Sequence, residues 1–261
     1  MGRTHQPVRP REDPLPGFEA IDLQPRDCGE GDLTRIESSY LARGYDRIAG
    51  VDEAGLGPLA GPVVAAAVIL PSGVRIDGAA DSKVLGPRTR RELDREIHRR
   101  ASAVGIGIAT VDEIDRFNIY RAGLLAMRRA VEDLKPPPEL VLLDARTLPN
   151  LPWPQAAYVH GDARIQCIAC ASIVAKVLRD GMMAEYDLRY PDYGFGSHKG
   201  YCTAAHREAL ERLGPSPIHR RSFRPVAHQL SFLKELDPCK PGHARERDEP
   251  DPDPRSPLHQ P

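Results

Sequence analysis

The sequence predicts one layered α/β domain. Short apolar runs of strand length alternate with segments of helical period between about Leu33 and Leu233. At 261 residues the chain has room for one sizeable core with tails, since single cores stop growing near ~250–300 residues. The flanks before Leu33 and after Asp237 are rich in Pro, Asp, Glu and Arg. They cannot bury enough apolar surface to offset an ordering entropy of roughly 1–2 kcal/mol per residue. Residues 1–32 and 237–261 are therefore expected to be disordered tails around a domain spanning 33–236.

The elements follow in order. Leu33, Ile36, Tyr40 and Leu41 fall on one helical face, with Gly44 as a C-terminal stop. Arg47 to Glu53 and Pro62 to Leu70 read as strands, the second apolar on both faces and hence central. Pro87 opens a helix that carries Leu93, Ile97 and Ala101. Ala103 to Val111 reads as a third strand. Tyr120, Leu124, Met127, Val131 and Leu134 mark a helix closed by Pro136-Pro137-Pro138. The buried run Leu140 to Leu143 is a strand ending at Asp144, and Ala156 to Val159 is another. Helices are expected from about Ala163 to Tyr186 and from about Thr203 to Leu213.

A formal net charge of -1 excludes a generally basic nucleic-acid coat and leaves only local patches. Cys28, Cys167, Cys170, Cys202 and Cys239 are odd in number and lack the spacing of a disulfide framework or a zinc site, so free thiols in a reducing compartment are expected. The N-terminus lacks the apolar stretch of a signal peptide, and the apolar run from Pro62 to Leu70 is too short to span a bilayer. A cytoplasmic protein with no membrane partner is the expectation.

Acidic residues stand where strands end. Asp52 and Glu53 close the first strand, Asp144 closes another, and Asp162 follows Gly161 at the start of the long helix. An unpaired carboxylate at the end of a buried strand is costly to desolvate, but several at the mouth of a sheet can converge on a hard cation such as Mg²⁺ or Mn²⁺. Taken singly, each reads more readily as a solvated strand end, or for Asp162 as a helix N-cap. Adjacent strand residues point to opposite faces, so Asp52 and Glu53 share a site only if the strand ends or twists there. Gly55, Gly57 and Pro58 supply an ending, and the glycines let backbone N–H groups approach an anion or a sugar hydroxyl.

The stretch Ile48-Ala-Gly-Val-Asp-Glu-Ala-Gly-Leu-Gly-Pro-Leu-Ala-Gly-Pro-Val-Val-Ala-Ala-Ala-Val-Ile-Leu70 resembles the opening motif of bacterial ribonuclease HII. The resemblance continues in order through Asp81-Ser-Lys83, Leu142-Leu-Asp144, Gly161-Asp-Ala-Arg164, Ala171 to Asp180, Tyr193-Gly-Phe195, His198-Lys-Gly-Tyr201 and Arg220-Arg-Ser-Phe223. It implies a ribonuclease H-like mixed sheet flanked by helices, with a helical C-terminal extension. It also implies that Asp52, Glu53, Asp144 and Asp162 are catalytic acids holding two Mg²⁺ or Mn²⁺ ions. The partner would be an RNA–DNA hybrid or a DNA duplex containing ribonucleotides, cut 5′ of a ribonucleotide to leave 3′-hydroxyl and 5′-phosphate ends. A monomer is expected.

Only the 2′-hydroxyl separates RNA from DNA at one nucleotide. The backbone of Gly55, Leu56 and Gly57 can read it, and the resemblance sets Tyr201 against the neighbouring sugar. Lys83 and Lys176 are further candidates for substrate contact. Lys199, Arg207, Arg212, Arg220, Arg221 and Arg224 form a local basic patch that could track phosphates. His198, His206, His219 and His228 match no zinc spacing and read as structural or phosphate-facing.

The chain departs from the family pattern at Leu56, where Arg is usual, at Val84, where a second Lys is common, and at Ala145, where Gly is usual. One rival reading is a catalytically weakened duplex-binding homologue lacking the Arg at position 56. Another is a different two-metal nuclease or transposase-like enzyme. Four clustered acids favour the enzyme over the binder, because a pure binder gains nothing from negative charge near phosphate.

Overall fold

The computed structural model describes residues 33–79 and 85–235. The expected tails, with Cys28 and Cys239 in them, and Lys83 and Val84 lie outside the described residues.

A short helix α1 (Arg35–Leu41) buries Ile36 and Tyr40 and stops before Gly44, whose φ of 90° gives the left-handed turn expected there. Strand β1 (Ile48–Ala54) pairs antiparallel with β2 (Val63–Ile69). Helix α2 (Pro87–Arg100) starts on its proline and buries Leu93 and Ile97. Strand β3 (Ala103–Ala109) pairs antiparallel with β2. It ends two residues earlier than expected, because Thr110 caps a helix the sequence reading missed, α3 (Val111–Phe117). Thr110 accepts from the Glu113 backbone while the Glu113 carboxylate accepts from the Thr110 N–H, a reciprocal capping box. Asn118, at φ 72°, separates α3 from α4 (Ile119–Asp133).

Strands β4 (Leu140–Asp144) and β5 (Gln155–Tyr158) complete a five-stranded sheet of order β3-β2-β1-β4-β5, with β1, β4 and β5 parallel. Strand β2 is interior and wholly buried, as its composition predicts, although β1 holds the middle position. The expected helix from Ala163 begins later. A 3-10 turn (Gly161–Ala163) precedes α5 (Gln166–Arg189), the longest helix. Beyond it lie α6 (Phe195–His198), α7 (Ala204–Leu213) and α8 (Arg224–Glu235), which form the helical C-terminal extension.

Alternation along the strands divides the core. Ala49, Val51, Ala65 and Ala67 pack with Met127, Ala130 and Val131 of α4 on one face of the sheet. Ala66 and Val68 pack with Cys170 to Ala175 of α5 and with α2 on the other. Helix α5 crosses β1 so closely that a side chain at Gly50 would collide with the Cys167 and Ile168 backbone. On the opposite face Gly107 gives α4 the same access, against the Ala126 carbonyl. Gly105 and Gly107, residues that disfavour a strand interior, are therefore the ones that seat the helix covering β3. Among the described residues no helix is long and apolar enough to cross a membrane.

Candidate active site

The parallel pairing of β1 with β4 sets Val51 opposite Leu143, so the next residues, Asp52 and Asp144, leave adjoining strand ends on the α5 face. Asp52 is 6% exposed, and its carboxyl is held well above the ordinary carboxylate range. Burial is the largest cause, followed by the charge of Glu53, with that of Asp144 adding to it. The Ser172 hydroxyl on α5 and the Glu53 backbone N–H, 2.7 Å from Asp52 Oδ1, oppose the rise. Gly161 donates its N–H to Asp144 Oδ1 at 2.7 Å, which docks the 3-10 turn carrying the buried Asp162 against the β4 end. Asp162 is not the cap of the long helix: α5 starts at Gln166, and Ile165 precedes it without a side-chain cap.

Glu53 keeps the opposite parity. Strand β1 runs on through Ala54, paired with Val64, instead of ending at Glu53. The Glu53 side chain therefore leaves on the α4 side, where its Oε1 is 3.5 Å from Nη1 of Arg146. Its charge still reaches Asp52, because the two carboxyls leave adjacent residues of one strand. Among the described residues, no three His, Cys, Asp or Glu side chains stand in an arrangement that could hold a metal ion. The donor set nonetheless suits one. It is all oxygen, and Asp52 is a buried carboxylate whose negative charge its acidic neighbours oppose, which a bound cation would relieve.

The Gly55–Pro62 loop leaves β1 and is braced from beneath by two arginines with no exposed surface. Arg220 donates through Nη2 to the Gly55 carbonyl at 2.6 Å, through Nη1 to Leu56 at 3.0 Å and through Nε to Gly61 at 2.9 Å. Arg179 donates to the carbonyls of Ala60, Pro62 and Lys199, each at 3.1 Å. Burial pushes both guanidinium pKa values down, and at Arg220 the neighbouring charge of Arg179 adds to that. Arg220 is thus removed from the expected basic patch, because its donors are spent on backbone carbonyls. Arg207, Arg212, Arg221 and Arg224 are exposed, as a patch requires.

Segments from far along the chain line the loop. Leu59 donates its N–H to the Gly200 carbonyl, and Gly61 to that of Ile218. Gly57 is exposed and faces Tyr201, whose Cε1 is 3.8 Å from where a Cβ on Gly57 would stand. Gly55 is buried, and Leu56 is half-buried and packs on the α4-side core. Lys176 Nζ lies 5.8 Å from the centroid of the Tyr201 ring and 2.6 Å from Asp180, so it joins this group as one half of an ion pair.

Three of the four noted histidines come together behind Tyr201, while His228 stays exposed on α8. Their bonds fix their tautomers. His198 accepts from the Gly200 N–H at Nδ1, leaving Nε2–H to donate to Tyr193. His206 donates from Nδ1 to the Tyr201 carbonyl, and His219 accepts from the Ser216 N–H at Nδ1, so His219 Nε2–H donates to His206 Nε2 at 3.0 Å. All three are structural groups, with both ring nitrogens of each engaged. Burial pushes His219 down to about 3. Cys167 and Cys170 are buried free thiols, pushed up chiefly by burial, and Cys202 is free and exposed.

Arg146, Arg179 and Ser172 are the site's neighbours that the sequence reading missed.

A protein-family model of ribonuclease HII matches residues 49–226. The ribonuclease HII of Anaeromyxobacter sp. (strain Fw109-5) is 55% identical over 200 residues, which cover 77% of this chain and 64% of that protein's own length. The ribonuclease HII of Myxococcus xanthus is 50% identical over 230 residues, covering 84% of this chain and 78% of that protein. Among solved structures, the ribonuclease H2 of Pyrococcus horikoshii OT3 superposes with a TM-score of 0.63 at 24% identity, over 72% of this chain and 99% of that one, which establishes the ribonuclease H-like fold. The chain belongs to the ribonuclease HII family, a family of endonucleases that hydrolyse phosphodiester bonds.

Proposed function

We propose that this protein hydrolyses the RNA strand of RNA–DNA hybrids and cuts DNA duplexes on the 5′ side of single embedded ribonucleotides, leaving 3′-hydroxyl and 5′-phosphate ends. One observation carries the reading. Asp52 and Asp144 follow the last paired residues of two parallel strands, Val51 and Leu143, and Asp52 is buried where its negative charge is opposed. Family membership supports ribonuclease H activity on a nucleic-acid substrate, and with it dependence on a divalent metal.

In this reading Asp52, Glu53, Asp144 and Asp162 hold two Mg²⁺ or Mn²⁺ ions. When bound, such ions activate a water and stabilise the leaving oxygen of an in-line displacement. The protein's own part is orientation. Ser172 and the Glu53 N–H hold the Asp52 carboxylate, and the Gly161 N–H holds that of Asp144. Both acids are thereby kept in place before substrate arrives. Sugar selection falls to the exposed backbone at Gly57 and to the Tyr201 ring facing it, with Lys176 beside the ring. Gly55 and Leu56 contribute less directly, because Arg220 already binds both their carbonyls and fixes the loop's shape. The weakened-binder reading has less support: it leaves the buried, mutually repelling acids without a purpose.

The test is incubation with a DNA duplex bearing one ribonucleotide, beside a matched all-DNA duplex, in Mg²⁺ or Mn²⁺, with product ends read by mass spectrometry. Cutting confined to the 5′ side of the ribonucleotide is expected. Equal cutting of the all-DNA duplex, or none of either, would refute the reading.

A further inference from the structure

The Gly55–Gly57 segment brings no cation of its own to the strand ends, since Leu56 packs inward on the α4-side core. A cation nevertheless stands beside it. Arg146 leaves the chain just after the left-handed residue Ala145 and reaches α4. There a Cβ on Gly123 would lie 3.2 Å both from Arg146 Nη1 and from Leu56 Cδ2. The guanidinium carbon lies 5.3 Å from the centroid of the exposed Tyr120 ring. Nη1 is 3.5 Å from Glu53 Oε1, which is ion-pair distance without a hydrogen bond. That nitrogen is buried and has no hydrogen-bond partner.

A buried donor without an acceptor is uncommon in a folded protein and calls for a reason. The guanidinium is a planar fork of five donors matched to phosphate oxygens. Here the side chain as a whole is 26% exposed, so part of the fork is within reach of a ligand. The same cation also neutralises Glu53, one of the acids assigned to metal.

We propose that Arg146 is the phosphate-binding cation of this site, resting on Glu53 in the free protein and drawn to a backbone phosphate of the bound duplex. The move gives the orphaned donor an acceptor and releases Glu53 from its counter-charge. The chain thereby supplies from the β4 end the positive charge that position 56 lacks. This rests on the nuclease reading of the site, but its test is separate.

Binding of a duplex with one ribonucleotide is followed by fluorescence anisotropy in excess chelator across a salt series, for the full chain and for Arg146→Ala and Arg146→Lys. Arg146→Ala is expected to weaken binding about tenfold at low salt and to lower the slope of log affinity against log salt by about one, as loss of one phosphate contact requires. Arg146→Lys keeps the charge and should keep the slope. An all-DNA duplex should show the same loss, because a phosphate contact carries no sugar information. A wild-type slope in Arg146→Ala, or equal slope losses in the Lys and Ala variants, would overturn the proposal. Arg146→Met, which retains the stem over Tyr120, replaces the Ala variant if that one melts below the assay temperature. Failure of the wild type to cut any ribonucleotide-bearing duplex would sink the nuclease reading instead, whatever the slopes.

Discussion

Arg220 donates a 2.6 Å hydrogen bond to the carbonyl of Gly55, 165 residues earlier in the chain, and so ties the C-terminal extension to the loop that leaves the catalytic strand. Its planar fork spans four carbonyls of that loop at once, Nη2 also reaching that of Pro62 at 3.3 Å. A hydrogen bond to a charged donor contributes roughly 1.5–3 kcal/mol, and a buried acceptor left unpaired adds its own cost. Arg220→Met is therefore expected to destabilise the protein by about 3–5 kcal/mol, a melting-temperature loss on the order of 10 °C. Arg220→Lys should recover only part, because an ammonium cannot span the four acceptors. A melting temperature unchanged in Arg220→Met would show that the brace is dispensable.

The buried pair His206 and His219 makes stability depend on acid. Burial, and secondarily the charge of His206, depresses the folded-state pKa of His219 to about 3 from an ordinary 6.5. His206 is pushed down as well, again chiefly by burial. Above pH 6.5 folded and unfolded chains both hold neutral rings, and the pair's stability is fully present. As pH falls below that, the unfolded chain takes up a proton that the folded chain refuses until about 3, so stability is lost across that window. For His219 alone the loss at pH 5 is about 2 kcal/mol. Urea denaturation at a series of pH values checks this: His219→Asn should flatten the decline between pH 6.5 and 4. An unaltered slope would mean that other groups cause it.

Ala145 takes a left-handed φ of 54° directly after Asp144, with its N–H donated to the Tyr158 carbonyl at 3.0 Å. An L side chain there costs roughly 1–2 kcal/mol, partly offset by the chain entropy that glycine loses on folding. Ala145→Gly is expected to stabilise by about 0.5–1 kcal/mol, read as a melting temperature about 1–3 °C higher. A lower one would mean that the methyl group makes contacts worth more than the strain.

Particular residues show how much of this was legible in the sequence. The apolar runs ending at Asp52 and Asp144 are readable because wholly buried strands leave a continuous signal, and the parallel register then joins their ends. The conflict of parity at Glu53 was also readable, and the structure keeps it: β1 continues, and Arg146 meets the outward carboxylate. Helix α3 was missed because its seven residues give too few turns for periodicity, and it buries only Ile114. Arg179 and Arg220 were beyond reach of composition, since an arginine in a sequence reads as surface until the carbonyls that satisfy it are known. Leu56 stands out in sequence only as a missing charge, whereas in the fold it is a packed side chain with a guanidinium beyond it.

The claim on which the account turns is that the paired strand-end acids carry out the cleavage. Its most direct test is single-turnover cutting of a duplex with one ribonucleotide, in Mg²⁺ or Mn²⁺, by the wild type, Asp52→Asn and Asp144→Asn, with metal-free melting temperatures measured alongside. Both variants are expected to lose cleavage by at least about a thousandfold, because each removes a metal-coordinating charge. Asp52→Asn should melt at or above the wild type, because it relieves a buried carboxylate repelled by Glu53 and Asp144. Near wild-type cleavage by either variant would contradict the account.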